Sequence, residues 1–330
     1  MYDLLADKTR VVSPSAEMAE SANEGRLTPV FILSSNWSGS TWAGYVLGSH
    51  SRSAFLGEYY RNWNPELAVP CPWCLSGGSA TCSVLHGIAT IAADDAFTFA
   101  LSRTGRQVLI DSSKVVEWAS RFSDSIPAAR YVHLIRDPRG YLASERRRVP
   151  GISCESSLTR WINENTRITD FLEKRKPSYT RMMVYDHAAR DPAGAFCKLF
   201  AFLGLEWEET ALHYWTRPHH ALAANGASEA LLANRPGGSN VGFFKTWDDA
   251  FYERSRRAAI CDQRWKQELT NDAKATVLRS PAIVGFLARL GLILTDDGMS
   301  NADSATEAMR GAGGCCQMTA RRSEQTGNSE

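Results

Sequence analysis

Residues 29–50 read PVFILSSNWSGSTWAGYVLGSH, and the fold depends on how this stretch divides. Pro29 to Leu33 are apolar and β-branched enough for a buried strand, and the residues after Ser40 have the composition of a helix. Between them a short run of Ser, Asn and Gly makes a strand-to-helix loop. In that position small side chains let the main chain approach a ligand, while the exposed N–H groups and dipole of the new helix favour an anion. Ser38, Gly39, Ser40 and Thr41 are suited to this. The loop that grips nucleoside triphosphates reads G-x-x-x-x-G-K-[ST], but here the first glycine and the lysine are missing. An ordinary kinase or ATPase is disfavoured, and a tight turn of small residues is the plain alternative.

Outward from the loop, short apolar runs at Val30–Ser34, Ser53–Gly57, Val108–Asp111, Tyr131–Ile135 and Met182–Tyr185 are strand candidates. They alternate with helical stretches, including Thr41–Gly48, Gly87–Ser102, Val115–Phe122, Tyr141–Arg148, Leu158–Lys174, Pro192–Leu203, Glu253–Glu268 and Pro281–Leu290. The alternation predicts an α/β fold, a P-loop-like three-layer sandwich with a central parallel sheet flanked by helices. With 330 residues and 44% hydrophobic content the chain can bury a large core. The expected organisation is a flexible arm over residues 1–26, one domain over 27–295 and a disordered tail over 296–330. Pro218–Asn240 reads as a long loop of the kind that often carries function.

A formal charge of +1 argues against nucleic-acid binding through bulk basicity, although Arg146-Arg147-Arg148 remains a local anion contact. No apolar run is long enough to cross a bilayer, and the first residues have no signal-peptide core, so a cytoplasmic protein without a membrane partner is expected. In that compartment the eight cysteines read as free thiols or metal ligands.

Two further strand ends carry polar groups. VLIDSSK ends in Asp111, two serines and Lys114, and YVHLIRDPRGYLASERRR places Arg136 at a strand tip with Ser144 eight positions later. In open α/β sheets ligands collect outside the carboxyl ends of the strands. Arg136 offers a planar fork for a phosphate, and Ser144 on the following helix can add a hydroxyl to another phosphate oxygen.

On these residues the chain resembles the sulfotransferases that use 3′-phosphoadenosine-5′-phosphosulfate (PAPS), over most of Pro29 to Leu294. The likeness is greatest to bacterial members reading S-G-S-T-L-L, G-S-H, G-E, D-S-S-K and R-D-P-R-G in order. The resemblance implies that Ser38, Gly39, Ser40, Thr41 and Trp42 hold the phosphosulfate and that Arg136 and Ser144 clasp the 3′-phosphate. It further implies transfer of a sulfonyl group to a hydroxyl or amine of an acceptor, with no metal required. One departure is Trp37, where many members have Lys or Arg before the loop; Lys114 is the replacement within the chain. Arg235 and Lys245, in RPGGSNVGFFKTWDD, are candidates for the segment that closes over the 3′-phosphate, with a surface loop as the alternative. Glu58, in the G-E segment after the second strand, is the candidate base, against a structural pairing with Arg61 or Arg52. The rival functions are a divergent ATP-dependent phosphotransferase and a PAPS- or nucleotide-binding protein without turnover.

The array Cys71, Cys74, Cys82, His86 has the donor types and C-x2-C-x7-C-x3-H spacing of a structural zinc. Its other reading, favoured because sulfonyl transfer needs no metal, is three free thiols and an exposed histidine. His219 and His220 either line the acceptor cavity or are loop polarity. Tyr59, Tyr60, Trp63 and Trp73 either wall that cavity or belong to the core. The DQRW stretch at Asp262–Trp265 is given a helix-packing role.

Overall fold

The computed structural model describes residues 27–63, 71–75, 77–79, 81–222, 231–232 and 261–302. In chain order the main elements are β1 (Thr28–Leu33), α1 (Ser40–Gly48), β2 (Ser53–Phe55), α2 (Pro72–Leu75), α3 (Ala96–Thr104), β3 (Val108–Asp111), α4 (Val116–Arg121) and β4 (Arg130–Ile135). They continue with α5 (Pro138–Arg148), α6 (Cys154–Leu172), β5 (Thr180–Val184), α7 (Tyr185–Arg190), α8 (Pro192–Phe202), α9 (Trp265–Glu268), α10 (Asn271–Arg279), α11 (Pro281–Arg289), β6 (Leu292–Thr295) and β7 (Gly298–Asn301).

Strands β1 to β5 form one sheet in the order β2-β3-β1-β4-β5, every pair parallel. The central strand β1, TPVFIL, is buried along its whole length, as a strand covered on both faces requires. Its side chains alternate between two cores. Val30 and Ile32 pack with Val46, Leu134 and Phe196, while Phe31 and Leu33 pack with Leu109, Phe97 and Tyr131. Because β2 and β3 lie on one side of β1 and the chain then crosses from β3 to β4 on the other, β1 lies where the strand order reverses. Its carboxyl end is flanked by those of β3 and β4, which is where such sheets bind ligands. The P-loop-like layering expected from the sequence is present.

The helices that face this edge start on local signals. Asp137 caps α5 by accepting from Arg139 N at 2.8 Å, and Pro138 occupies the first turn, where its missing N–H is not needed. Ser153 caps α6 and Asp191 caps α8 in the same manner. Among the described residues no helix is long and apolar enough to cross a membrane.

Three local expectations are corrected. The single helix expected over Gly87–Ser102 is two short 3-10 turns, Ile88–Thr90 and Ala93–Asp95, followed by α3. The ordered fold runs past residue 295: β6 and β7 form an antiparallel hairpin, with Leu292 opposite Asn301. Helix α10, capped by the Thr270 hydroxyl, fills a stretch for which no element was expected. Residues 1–26 and 303–330 lie outside the described residues.

Candidate active site

The loop after β1 is shaped by two left-handed residues. Gly39, with φ 88°, precedes α1, and a Cβ there would stand 2.6 Å from the Tyr185 ring, so only glycine fits. Trp37 has φ 62° and Lys114 has φ 66°; among the described residues these are the two non-glycine positions with positive φ. Holding a residue with a Cβ in this region costs about 1–2 kcal/mol. Such strain gathers where a site over-determines the backbone, and here both cases fall at the sheet edge singled out by the motifs. The Ser35 and Ser38 hydroxyls lie 2.9 Å apart within the loop. Arg148 lies over the Trp37 ring, its guanidinium carbon 4.2 Å from the centroid.

Arg136 ties the loop to the next strand. Its Nη1 donates to Trp37 O at 2.7 Å and to Ser144 Oγ at 3.1 Å, and its Nη2 donates to Asp262 Oδ2 at 2.8 Å. The guanidinium is buried and stands over the Tyr185 ring, while its Nε has no hydrogen-bond partner. Gly140 allows this: a Cβ there would meet Nε at 2.9 Å. The other arginine of R-D-P-R-G has a different task, since Arg139 pairs with Asp137 at 2.7 Å and reaches Thr295 O at 2.8 Å, both residues fully buried.

Asp262, assigned to helix packing from the sequence, instead sits among three arginines. It accepts from Arg136 and from Arg264 at 2.7 Å, and lies 3.6 Å from Arg147. The packing role belongs to Trp265, a buried indole under Arg139. Burial first, then the charge of Arg147, lowers the Arg264 pKa to about 10.

On the other side of β1, Glu58 and Lys114 are brought together. Lys114 Nζ donates to Glu58 Oε1 at 2.6 Å and to Ser112 O at 3.1 Å, and Arg61 holds the second Glu58 oxygen at 3.0 Å. The Lys114 backbone is set by Asp111, whose carboxylate accepts from Ser113 N at 2.7 Å and Trp118 Nε1 at 2.6 Å. Burial still raises Asp111 to about 6, ahead of the lowering effect of those bonds. A carboxylate the sequence reading overlooked, Glu164 on α6, accepts from Asn36 N at 3.4 Å in the loop, and burial raises its pKa. It lies on an ordinary amphipathic helix with no motif around it.

Arg235 and Lys245 lie outside the described residues. His219 is buried, its Nε2 within 2.8 Å of Tyr214 O and 3.2 Å of Ser49 Oγ. Tyr59 and Trp63 pack in an aromatic core with Phe97 and Trp118, so they take the core alternative. The array Cys71, Cys74, Cys82, His86 does not assemble as the spacing suggested. His86 is exposed against Arg103, 2.7 Å from its Nη2, and His220 takes its place beside the three sulfurs. The run of turns from Cys82 to Ile88 carries His86 outward, which spacing alone does not reveal.

Residues 88–209 match the model of the sulfotransferase family, which bears out the likeness to sulfotransferases; the Ser38–Trp42 loop lies outside the matched stretch. Among solved structures, the chain is similar to the sulfotransferase domain of the curacin biosynthetic pathway, at 15% identity over 77% of this chain and 97% of that one, with a TM-score of 0.47. It is also similar to the sulfotransferase domain of the Synechococcus olefin synthase, at 17% identity over 78% and 98% of the two chains, with a TM-score of 0.47. A mouse sulfotransferase complexed with PAP aligns at 12% identity over 80% and 87%, with a TM-score of 0.43. Comparison with curated protein sequences gives no significant match.

Proposed function

We propose that the chain transfers a sulfonyl group from PAPS to an acceptor hydroxyl or amine. The observation that carries this reading is the position of Arg136, whose single guanidinium contacts both the loop, at Trp37 O, and Ser144. Two sequence motifs 99 residues apart thus share one donor. The residues suit the dianionic end groups of PAPS: Arg136 Nε and Ser34 Oγ are buried without partners.

In this reading the Ser38–Trp42 loop grips the phosphosulfate end, and Arg136 with Ser144 reads the 3′-phosphate. Arg147 and Arg264 already gather around Asp262, so the Asp262 carboxylate stands where an incoming phosphate would find its counter-charges. PAPS supplies the sulfonyl group. As the acceptor oxygen or nitrogen bonds to sulfur and the sulfur–phosphate-oxygen bond breaks, Lys114 offsets charge on the departing phosphate oxygen. Glu58 takes the acceptor proton, having been held at that edge by Lys114 and Arg61. Arg148, stacked on Trp37, contributes the positive charge that a basic residue at position 37 would bring.

The test is a thermal-shift comparison of 3′-phosphoadenosine-5′-phosphate with ATP, followed by sulfonate transfer from labelled PAPS to an acceptor library read by mass. Preferential stabilisation by the 3′-phosphorylated nucleotide together with transfer supports the reading. Preference for ATP favours a phosphotransferase, and tight binding with no transfer to any acceptor favours a binding protein.

A further inference from the structure

Beside the candidate active site, three buried cysteines and one histidine converge. Cys71, Cys74, Cys82 and His220 each offer one ligand atom, and these atoms all lie within 4.8 Å of one another. His220 Nδ1 is 3.4 Å from Cys74 Sγ and 3.7 Å from Cys82 Sγ. Bonds of about 2.3 Å to sulfur and about 2.0 Å to nitrogen put the ligand atoms of a tetrahedral zinc roughly 3.5–4 Å apart. We infer that Cys71, Cys74, Cys82 and His220 form a structural zinc site that pins the 219–222 segment against the sheet beside Glu58.

Main-chain donors face two of the sulfurs. Ser83 N–H donates to Cys74 Sγ at 3.4 Å and Leu85 N–H to Cys82 Sγ at 3.2 Å, the kind of main-chain contact that holds a ligating sulfur in place. Cys71-x-x-Cys74 spans helical turn α2, whose Leu75 N bonds back to Cys71 O, so the first pair is presented by one tight turn. All three cysteines are free thiols, and the apolar side chains of Leu85, Ile88 and Leu56 enclose them. Ordinary packing of small apolar residues explains buried cysteines. It does not explain a histidine whose ring nitrogen faces two of their sulfurs.

His220 also explains why the site matters. Two residues on, Leu222 N donates to Leu56 O at 3.0 Å and pairs in parallel with Gly57, extending the sheet where β2 ends. A Cβ on Gly57 would stand 2.0 Å from Leu222 O, so the approach is close. A closed site with four protein ligands leaves no position for substrate, which makes the metal's task cohesion rather than catalysis. The inference therefore stands whether or not sulfonyl transfer is the activity.

The full chain is produced in zinc-supplemented medium and purified without chelator, and its metal is measured by mass spectrometry. One zinc per chain is expected. His220→Ala and Cys74→Ser should lose it, whereas His86→Ala should keep it. Because the first two variants can misfold, wild-type protein is also stripped with chelator and refilled with Co2+. Intense visible bands of tetrahedral cobalt–thiolate coordination and recovery of the melting temperature lost on stripping are expected. Metal-free wild type that gives no such bands with cobalt, a full complement of zinc in His220→Ala, or a disulfide among the three cysteines in freshly purified protein would each overturn the assignment.

Discussion

At the carboxyl edge of the sheet, the groups that the motifs mark are close in sequence or arrive on adjacent strands: Arg136 and Ser144 are eight residues apart. Around Cys71–Cys82 the decisive partner comes from 146 residues away, measured from Cys74 to His220. The first region is framed by regular elements whose register dictates where each tip lies. The second consists of short helical and 3-10 turns, with little regular backbone to carry a pattern. The contrast teaches that strand ends make chemistry legible by periodicity, whereas a turn-rich insertion hides its partners in loops.

If the strand-tip region is the chemical half, its variants should alter turnover and ligand affinity far more than stability. The largest effect belongs to Glu58→Gln, expected to slow sulfonate transfer by about a hundredfold or more while leaving nucleotide-induced thermal stabilisation intact. Normal turnover would move the proton-accepting role to Glu164, whose Gln variant then becomes the next measurement. Arg136→Ala comes second, at about 1.5–3 kcal/mol of lost affinity for the 3′-phosphorylated nucleotide by calorimetry. The 3′-dephospho analogue should lose little, since the arginine is proposed to read that phosphate alone; equal losses would break the assignment. Ser144→Ala should act in the same direction, less strongly.

The turn-rich half should answer in stability instead. Gly57→Ala introduces both a left-handed Cβ at φ 84° and a collision with Leu222 O, and should cost about 2 kcal/mol or more in urea unfolding. Gly78 has φ 87° with open space around its Cβ position, so Gly78→Ala should cost only the backbone strain, about 1 kcal/mol. Equal losses would mean that the Leu222 contact contributes nothing.

The smallest effect is a pH dependence located inside the sheet. Burial lowers His133 to about 4, with the Asn165 side-chain oxygen as its partner at 3.1 Å. The unfolded chain takes up this proton near pH 6.5 and the folded chain does not, so stability is lost as pH falls from 6.5 towards 4. Asp111, raised to about 6, acts oppositely, because the folded state binds its proton first and gains stability as pH falls through 6. Urea melts at pH 7 and 5.5 should show His133→Gln sparing about 1 kcal/mol of acid destabilisation relative to wild type. An identical pH dependence in both proteins would place the acid-sensitive group elsewhere.

The sheet and the layering were legible because the central strands β1, β3 and β4 leave buried, largely apolar runs, with the shorter edge strands β2 and β5 spaced between helices around them. The hairpin β6–β7 also had a signal, the Asp296-Asp297-Gly298 turn between two short runs, but it lies in a stretch otherwise polar enough to resemble a tail. Helix α10, NDAKATVLR, buries only Ala273 and Val277, too little to set a helical period against the background. Within the candidate site, Arg136 was paired with Ser144, and Glu58 was placed at the same edge as Lys114, by reading strand ends; the pairing of Glu58 with Arg61, weighed from the sequence as its structural alternative, is also present. Asp262, Glu164 and His220 were not, because each reaches its partners through tertiary contact and carries no local spacing.

The junction of Leu222 with Gly57 also orders events during synthesis. A chain made from its amino end completes all five parallel strands, the last ending at Val184, before residue 222 exists. Cys71, Cys74 and Cys82 therefore spend that interval without His220 or the Leu222 contact, as a cluster of thiols on a nascent domain. The arrival of the 219–222 segment brings His220 to these sulfurs and Leu222 to Gly57.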